Sequence, residues 1–169
     1  HRVDRRQRQM CIRDSTYSDT TSTGVRYWVN GSGLWSPTST SNWSYTSAGA
    51  SGAPVPTATD SVYFDQTGTY TVTCTSGTLF CNDITVSTGT VTFANGTAPT
   101  FTIGGSMSLV AGTVWSSTGA ITFNSTSTGK TINTNNVIIG GPVTFNGVGG
   151  YWTLGSAFTT NATVTIVNG

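Results

Sequence analysis

Asp60 and Asp65 bracket the stretch SVYF, and a pair of carboxylates held apart across a substrate is the equipment of a glycosidase. In an extended strand, however, side chains alternate between faces, so residues five apart point to opposite sides. The plainer reading is that Asp60 sits in a turn before a strand and Asp65 at its end. The chain has no Glu and its one His is at position 1, so acid–base chemistry would fall to a few Asp and Tyr. STGKT, ending at Thr131, has the tail of a phosphate loop. Asn124 stands where the leading Gly belongs, though, and no strand-then-helix context surrounds it. GK reads better as a turn. NGVGGYWTLG is Gly-rich but precedes no helix, so its glycines are assigned to tight turning beside Tyr151 and Trp152. No catalytic residue and no cofactor is assigned, and the chain is expected not to be an enzyme.

Cys74 and Cys81 flank the turn-like TSGT. They form a candidate disulfide in an oxidising compartment, and otherwise two buried free thiols; spacing alone does not decide. Without CxxC pairs or further His, no metal site is assigned. The aromatic cluster Tyr27, Trp28, Trp35, Trp43 and Tyr45 has two readings. Flat aromatic faces stack on sugars, whereas buried indoles would cap an exposed core and strand edge; the cap is the favoured reading. Asn30, Asn42, Asn95, Asn124 and Asn161 each open an N-x-S/T sequon, which arises readily in so Thr-rich a chain.

Positive charge is confined almost wholly to one end. The formal net charge is +1. Arg2, Arg5, Arg6, Arg8 and Arg13 lie in the first fifteen residues, and beyond them only Arg26 and Lys130 remain, against Asp19, Asp60, Asp65 and Asp83. The run RRQRQMCIRDS, Arg5 to Ser15, resembles a translated sequencing adapter: suitable codons for these residues reproduce the adapter and its mosaic end. The resemblance implies that residues 1–15 are not part of the natural chain, and such segments are set aside before fold reasoning. Cys11 then leaves the count, and the basic start gives no ground for a nucleic-acid partner. The natural start is expected to lie elsewhere, and the C-terminus to be truncated.

Thr, Val, Ile, Phe, Tyr and Trp dominate what remains, while helix formers are scarce, a mixture suited to half-buried pleated strands. No apolar run approaches the ~20 residues of a membrane span. TYTVTCT places Tyr70, Val72 and Cys74 on one face and threonines on the other. GTVTFANG, GAITFNST, GPVTFNGV and ATVTIVNG then repeat a small residue, an aliphatic, Thr, and Phe or Ile. Repetition at roughly 20 to 30 residues marks a solenoid, whose coils bury their apolar edges against their neighbours. The expected core ladder is Val91 and Phe93, Ile121 and Phe123, Val143 and Phe145, Val164 and Ile166. Thr92, Thr122, Thr144 and Thr165 would form an outward column. The fold class is therefore all-β: a β-solenoid, specifically a parallel β-helix, with a Trp-rich N-terminal cap. A β-sandwich is the alternative.

Four regions follow: the adapter-like 1–15, a polar lead-in 16–24, a Trp-rich cap module 25–67, and solenoid coils 68–169. Trp28, Gly31, Trp35, Asn42, Trp43, Pro56, Asp60, Phe64 and Asp65 carry a resemblance. The chain resembles uncharacterised repetitive β-rich structural proteins of environmental phages, and bacterial surface proteins with autotransporter-associated β-strand repeats. The resemblance implies a non-enzymatic structural or adhesive role in a virion or at a cell surface, outside the cell. It implies glycans, a host cell surface, other copies of the chain or other virion subunits as partners. A carbohydrate-binding module or a carbohydrate-active enzyme on a β-helix is the alternative.

Overall fold

The computed structural model describes residues 24–97 and 99–169; the adapter-like segment 1–15, with Cys11, and the lead-in as far as residue 23 lie outside the described residues. Every regular element among the described residues is a strand. The front of the molecule holds β1 (Val25–Trp28), β2 (Gly33–Trp35) and β3 (Trp43–Ser44). A first full coil follows with β4 (Ser61–Phe64), β5 (Thr69–Cys74) and β6 (Gly77–Cys81), and a second with β7 (Ile84–Val86), β8 (Thr90–Asn95) and β9 (Pro99–Ile103). The third holds β10 (Met107–Ser108), β11 (Val114–Trp115) and β12 (Ala120–Phe123). The fourth holds β13 (Lys130–Asn133), β14 (Ile138–Ile139) and β15 (Val143–Asn146), and the fifth β16 (Trp152–Leu154), β17 (Thr159–Thr160) and β18 (Val164–Asn168).

Each coil places one strand in each of three sheets. Sheet I runs β16-β13-β10-β7-β4-β1-β3, sheet II β17-β14-β11-β8-β5-β2, and sheet III β18-β15-β12-β9-β6. All pairings are parallel except β1 with β3. The protein is a parallel β-helix of about five coils, and the sandwich alternative, which needs two antiparallel sheets face to face, is excluded.

Alternation within each strand decides what faces inward, because successive side chains leave a strand on opposite sides. Inward columns run Val62–Ile84–Met107–Ile132–Leu154 on sheet I and Val72–Phe93–Trp115–Ile139 on sheet II. Sheet III has two, Leu79–Phe101–Ile121–Val143–Val164 and Cys81–Ile103–Phe123–Phe145–Ile166. Rings touch along much of this interior: Phe64 meets Phe93 at 5.0 Å, Phe93 meets Trp115 at 4.4 Å, and Phe123 meets Phe145 at 5.2 Å between centroids. Burying such side chains is worth about 1.5–3 kcal/mol each, so one long apolar core holds the coils together.

Two parts of the expected ladder are corrected. Ile121, Val143 and Val164 do form one column, but Val91 and Phe93 belong to sheet II, where Val91 stands beside Tyr70 and Phe93 beside Val72 and Trp115. Thr92 accordingly pairs with Thr71, apart from the outward column Thr102–Thr122–Thr144–Thr165 of sheet III. Val164 and Ile166 occupy inward register positions yet remain 48% and 75% exposed, because no further described strand lies over β18.

Corners demand backbone shapes that ordinary residues resist. Between sheets I and II the chain passes through left-handed residues at Gly68, Gly89 and Gly112, and at Asn135 and Asn136 in the fourth coil. Gly89 is constrained twice: its φ is +78°, and a Cβ there would meet the Gln66 carbonyl oxygen of the coil before it at 2.5 Å. Asparagine is the residue that best substitutes for glycine in this conformation.

Candidate functional site

The corner leading into β4 gathers charge. Asp60 is buried, with Oδ1 3.3 Å from the Arg26 guanidinium and 3.2 Å from the Gly24 amide. Its Oδ2 accepts hydrogen bonds from the Thr57 amide (2.8 Å) and hydroxyl (2.6 Å). Burial pushes the Asp60 carboxyl upward, but the Thr57 hydrogen bonds, the Arg26 charge and the Gly24 amide outweigh it and hold the group below the ordinary carboxylate value. A carboxylate so engaged is a corner staple, not a proton carrier.

One coil further on, Asp83 is spent in the same way. Its Oδ1 accepts from the Ser106 amide at 2.6 Å and its Oδ2 from the Ser61 hydroxyl at 3.1 Å, tying the coil before to the coil after. Asp65 directly follows β4 and borders a shallow depression with Ser47, Ala48, Gln66 and Thr67. The turn-and-strand-end placement of Asp60 and Asp65 is the one that alternation implies. No group of three or more His, Cys, Asp or Glu able to hold a metal ion occurs among the described residues. At the former phosphate-loop candidate, Gly129 forms a corner with φ +76° and Lys130 begins β13.

The five aromatics do not make a single platform. Trp28, Trp35 and Trp43 are buried, and Trp43 meets Trp28 at 5.1 Å and Trp35 at 5.3 Å, edge to face, above Phe64. They form the first layer of the core beneath β3, so stacking a sugar on them is not open. The Trp28 indole donates to the Gly31 carbonyl at 2.7 Å. Gln66 clamps the same loop from the next coil, donating to the Trp28 carbonyl and accepting from the Gly31 amide. Asn42 donates from its amide to the Val29 carbonyl at 2.8 Å, so this sequon asparagine is buried and engaged.

Outside, Tyr27 and Tyr63 stack at 5.3 Å with 25° between ring planes, both half-buried on the outer face of sheet I. Register continues that line through Thr85, Ser108 and Asn133. Tyr45 is 44% exposed, with the Arg26 guanidinium 4.8 Å from its ring centroid. A second surface feature is an apolar groove of ≈ 410 Å³ beside β6, lined by Trp35, Pro37, Val55, Pro56, Leu79 and Phe80.

Cys74 and Cys81 end β5 and β6 and are both buried free thiols, which corrects the disulfide alternative. Burial pushes the Cys74 thiol up to about 12 and raises that of Cys81 as well, with nearby Asp83 adding to the latter. Such thiols are neutral and poor nucleophiles.

Sequence reasoning missed Arg26, although period two in VRYW puts it on the same side as the buried Trp28. Phe101 and Trp115, both central to the core, are absent from the expected ladder: TFTI has the alternation of a strand, but neither it nor VW carries the repeated motif. Compared with protein families, curated proteins and solved structures, the chain matches none.

Proposed function

We propose that this chain is a non-enzymatic structural or adhesive repeat protein, presenting a rigid β surface on the exterior of a virion or a bacterial cell. The observation that carries this reading is the outward column Thr102–Thr122–Thr144–Thr165, held in one register over four successive strands of sheet III by the apolar columns behind it. A surface fixed in this way offers hydroxyls and methyls at a strand spacing of about 4.8 Å, and it loses little entropy when an extended partner lies along it. The structural use of Asp60 and Asp83 supports a passive role.

The test is retention of the purified chain on insoluble bacterial polysaccharides and on whole cells, beside a Thr122→Lys/Thr144→Lys variant. Retention lost in the variant supports adhesion through sheet III. Release of soluble sugar during incubation counts against a non-enzymatic role.

Carbohydrate binding has its own favouring observation in the stacked Tyr27–Tyr63 pair and the hydroxyl and amide groups that continue its line. Retention on a polysaccharide that survives the Thr variant and disappears in Tyr27→Ala/Tyr63→Ala assigns binding to sheet I instead.

A further inference from the structure

After Phe80, the outward column of sheet III is threonine on four successive strands, Thr102, Thr122, Thr144 and Thr165. The register shift between β15 and β18 falls beyond Phe145/Ile166, so the four stand in unbroken register. Uneven corner lengths between the strands leave the rungs in step. Each of these threonines lies between two inward side chains of its own strand, as Thr122 does between the buried Ile121 and Phe123. The backbone beneath it is thereby anchored on both sides. A β-branched side chain in a strand is also stiff at χ1, so hydroxyl and methyl keep fixed places at a rung spacing of about 4.8 Å. Thr78, Thr100 and Ala120 form a second line two residues earlier on β6, β9 and β12, about 6.6 Å away along the strands.

Two further features bear on what such a face can hold. Among the described residues none of the hydroxyls of Thr102, Thr122, Thr144 and Thr165 has a hydrogen-bond partner, whereas the corner threonines Thr134 and Thr160 donate theirs to the Ala157 and Gly141 carbonyls. Each unengaged hydroxyl offers one donor and two acceptor positions to water. Strands β6, β9, β12, β15 and β18 also contain no charged residue. Charged groups hold water in shells that do not fit a crystal lattice, so a neutral face is what ordered water requires. A glycan would stack on aromatic faces, and among the described residues Phe80 is the only outward ring in the strands of sheet III.

We propose that the outward threonine column of sheet III binds ice. Water molecules in ice repeat along one crystal axis at nearly the rung spacing of a parallel sheet, so successive hydroxyls hydrogen-bond successive lattice oxygens while the methyl groups sit in the hollows between them. Removing those methyl groups from liquid water is favourable. The template is rigid before contact, so little ordering entropy is lost on binding. Crystal growth stops under each bound molecule, because the ice must then bulge between neighbours at an increased surface cost. The proposal rests on the reading of sheet III as a rigid adhesive surface and deepens it by naming the solid to which that surface adheres.

Ice grown slowly on a cooled probe in a buffered solution of the full chain tests this, together with microscopic measurement of the gap between melting and freezing temperatures. The chain should be enriched in the ice fraction and should open a freezing gap. Thr122→Lys/Thr144→Lys should lose both effects. Thr71→Lys/Thr92→Lys, at paired outward threonines of sheet II, should keep both, with circular dichroism confirming that each variant is folded. Exclusion of the unaltered chain from ice, incorporation that survives the sheet III lysines, or incorporation lost with those on sheet II overturns the proposal. Retention on polysaccharide by a chain that ice excludes overturns the ligand and leaves the adhesive reading standing. Uptake into ice by a chain that no polysaccharide or cell retains upholds the ligand and removes glycans and cells as partners.

Discussion

Arg26 and Asp60 face each other 3.3 Å apart in the corner that leads into β4, both buried. The pair ties β1 to the turn before β4, adding to the parallel ladder between the two strands. The Arg26 Nε also donates to the Pro54 carbonyl at 3.0 Å and its Nη1 to the Val25 carbonyl at 2.8 Å, so the guanidinium joins β1, the loop at Pro54 and the turn at Asp60. Asp60→Asn removes the carboxylate and keeps the charge buried, which should cost about 3 kcal/mol. Chemical denaturation at neutral pH measures this as a lowered midpoint with unchanged slope.

The pH dependence has a definite sign. The folded pKa of Asp60 is lowered from 3.8. Its stabilisation is therefore complete above the ordinary carboxylate value and lost as the pH falls from there through the folded value. Acid unfolding curves should be steeper for the unaltered chain than for Asp60→Asn, and the two should converge at the lowest pH.

Cys74 and Cys81 should react with a thiol reagent only on unfolding. Raised thiol pKa values and burial both suppress the thiolate. Labelling followed by mass measurement should find no added groups at these two positions in the native chain and both modified in denaturant. Native-state labelling at either position would contradict the burial described.

The aromatics of the front end divide by position. Trp35→Ala should destabilise by about 3–5 kcal/mol, since it empties a packed site between Trp43, Phe64 and Phe101. Tyr45→Ala should cost about 2 kcal/mol at most, since the ring is 44% exposed although the Arg26 charge beneath it is buried. Thermal unfolding of both variants separates a core role from a surface one.

Gly141→Ala places a methyl group against the Gly119 carbonyl oxygen and 2.7 Å from the Thr118 carbonyl oxygen, both in the coil before. Relieving that overlap means parting two coils at the corner between sheets II and III, at a cost of about 1–3 kcal/mol. Hydrogen exchange should show the loss of protection concentrated in β14 and β15.

Alternation and repetition were legible because most inward positions are apolar and many outward ones are Thr. That pattern makes strands, and its recurrence makes coils. It does not say which of three sheets a strand joins. TVTF at β8 and AITF at β12 look alike but stand on different sheets, since the assignment rests on corner lengths and left-handed positions such as Gly89 and Asn136. A four-residue motif carries none of that. Arg26 was hidden for another reason. A lone arginine reads as a surface charge until Asp60, thirty-four residues away, is brought beside it.

Every strand beyond the front bonds only to its counterparts one coil earlier and one coil later. Manufacture of such a molecule therefore has a natural direction. As the polypeptide leaves the ribosome, the indole-filled front is completed first, and each newly emerged coil finds a finished template to settle on. Nascent chains released after β9 or β12 should already resist protease up to their last coil. An error early in the stack would deprive everything made after it of a foundation, while one in the last coil would spare all that came before.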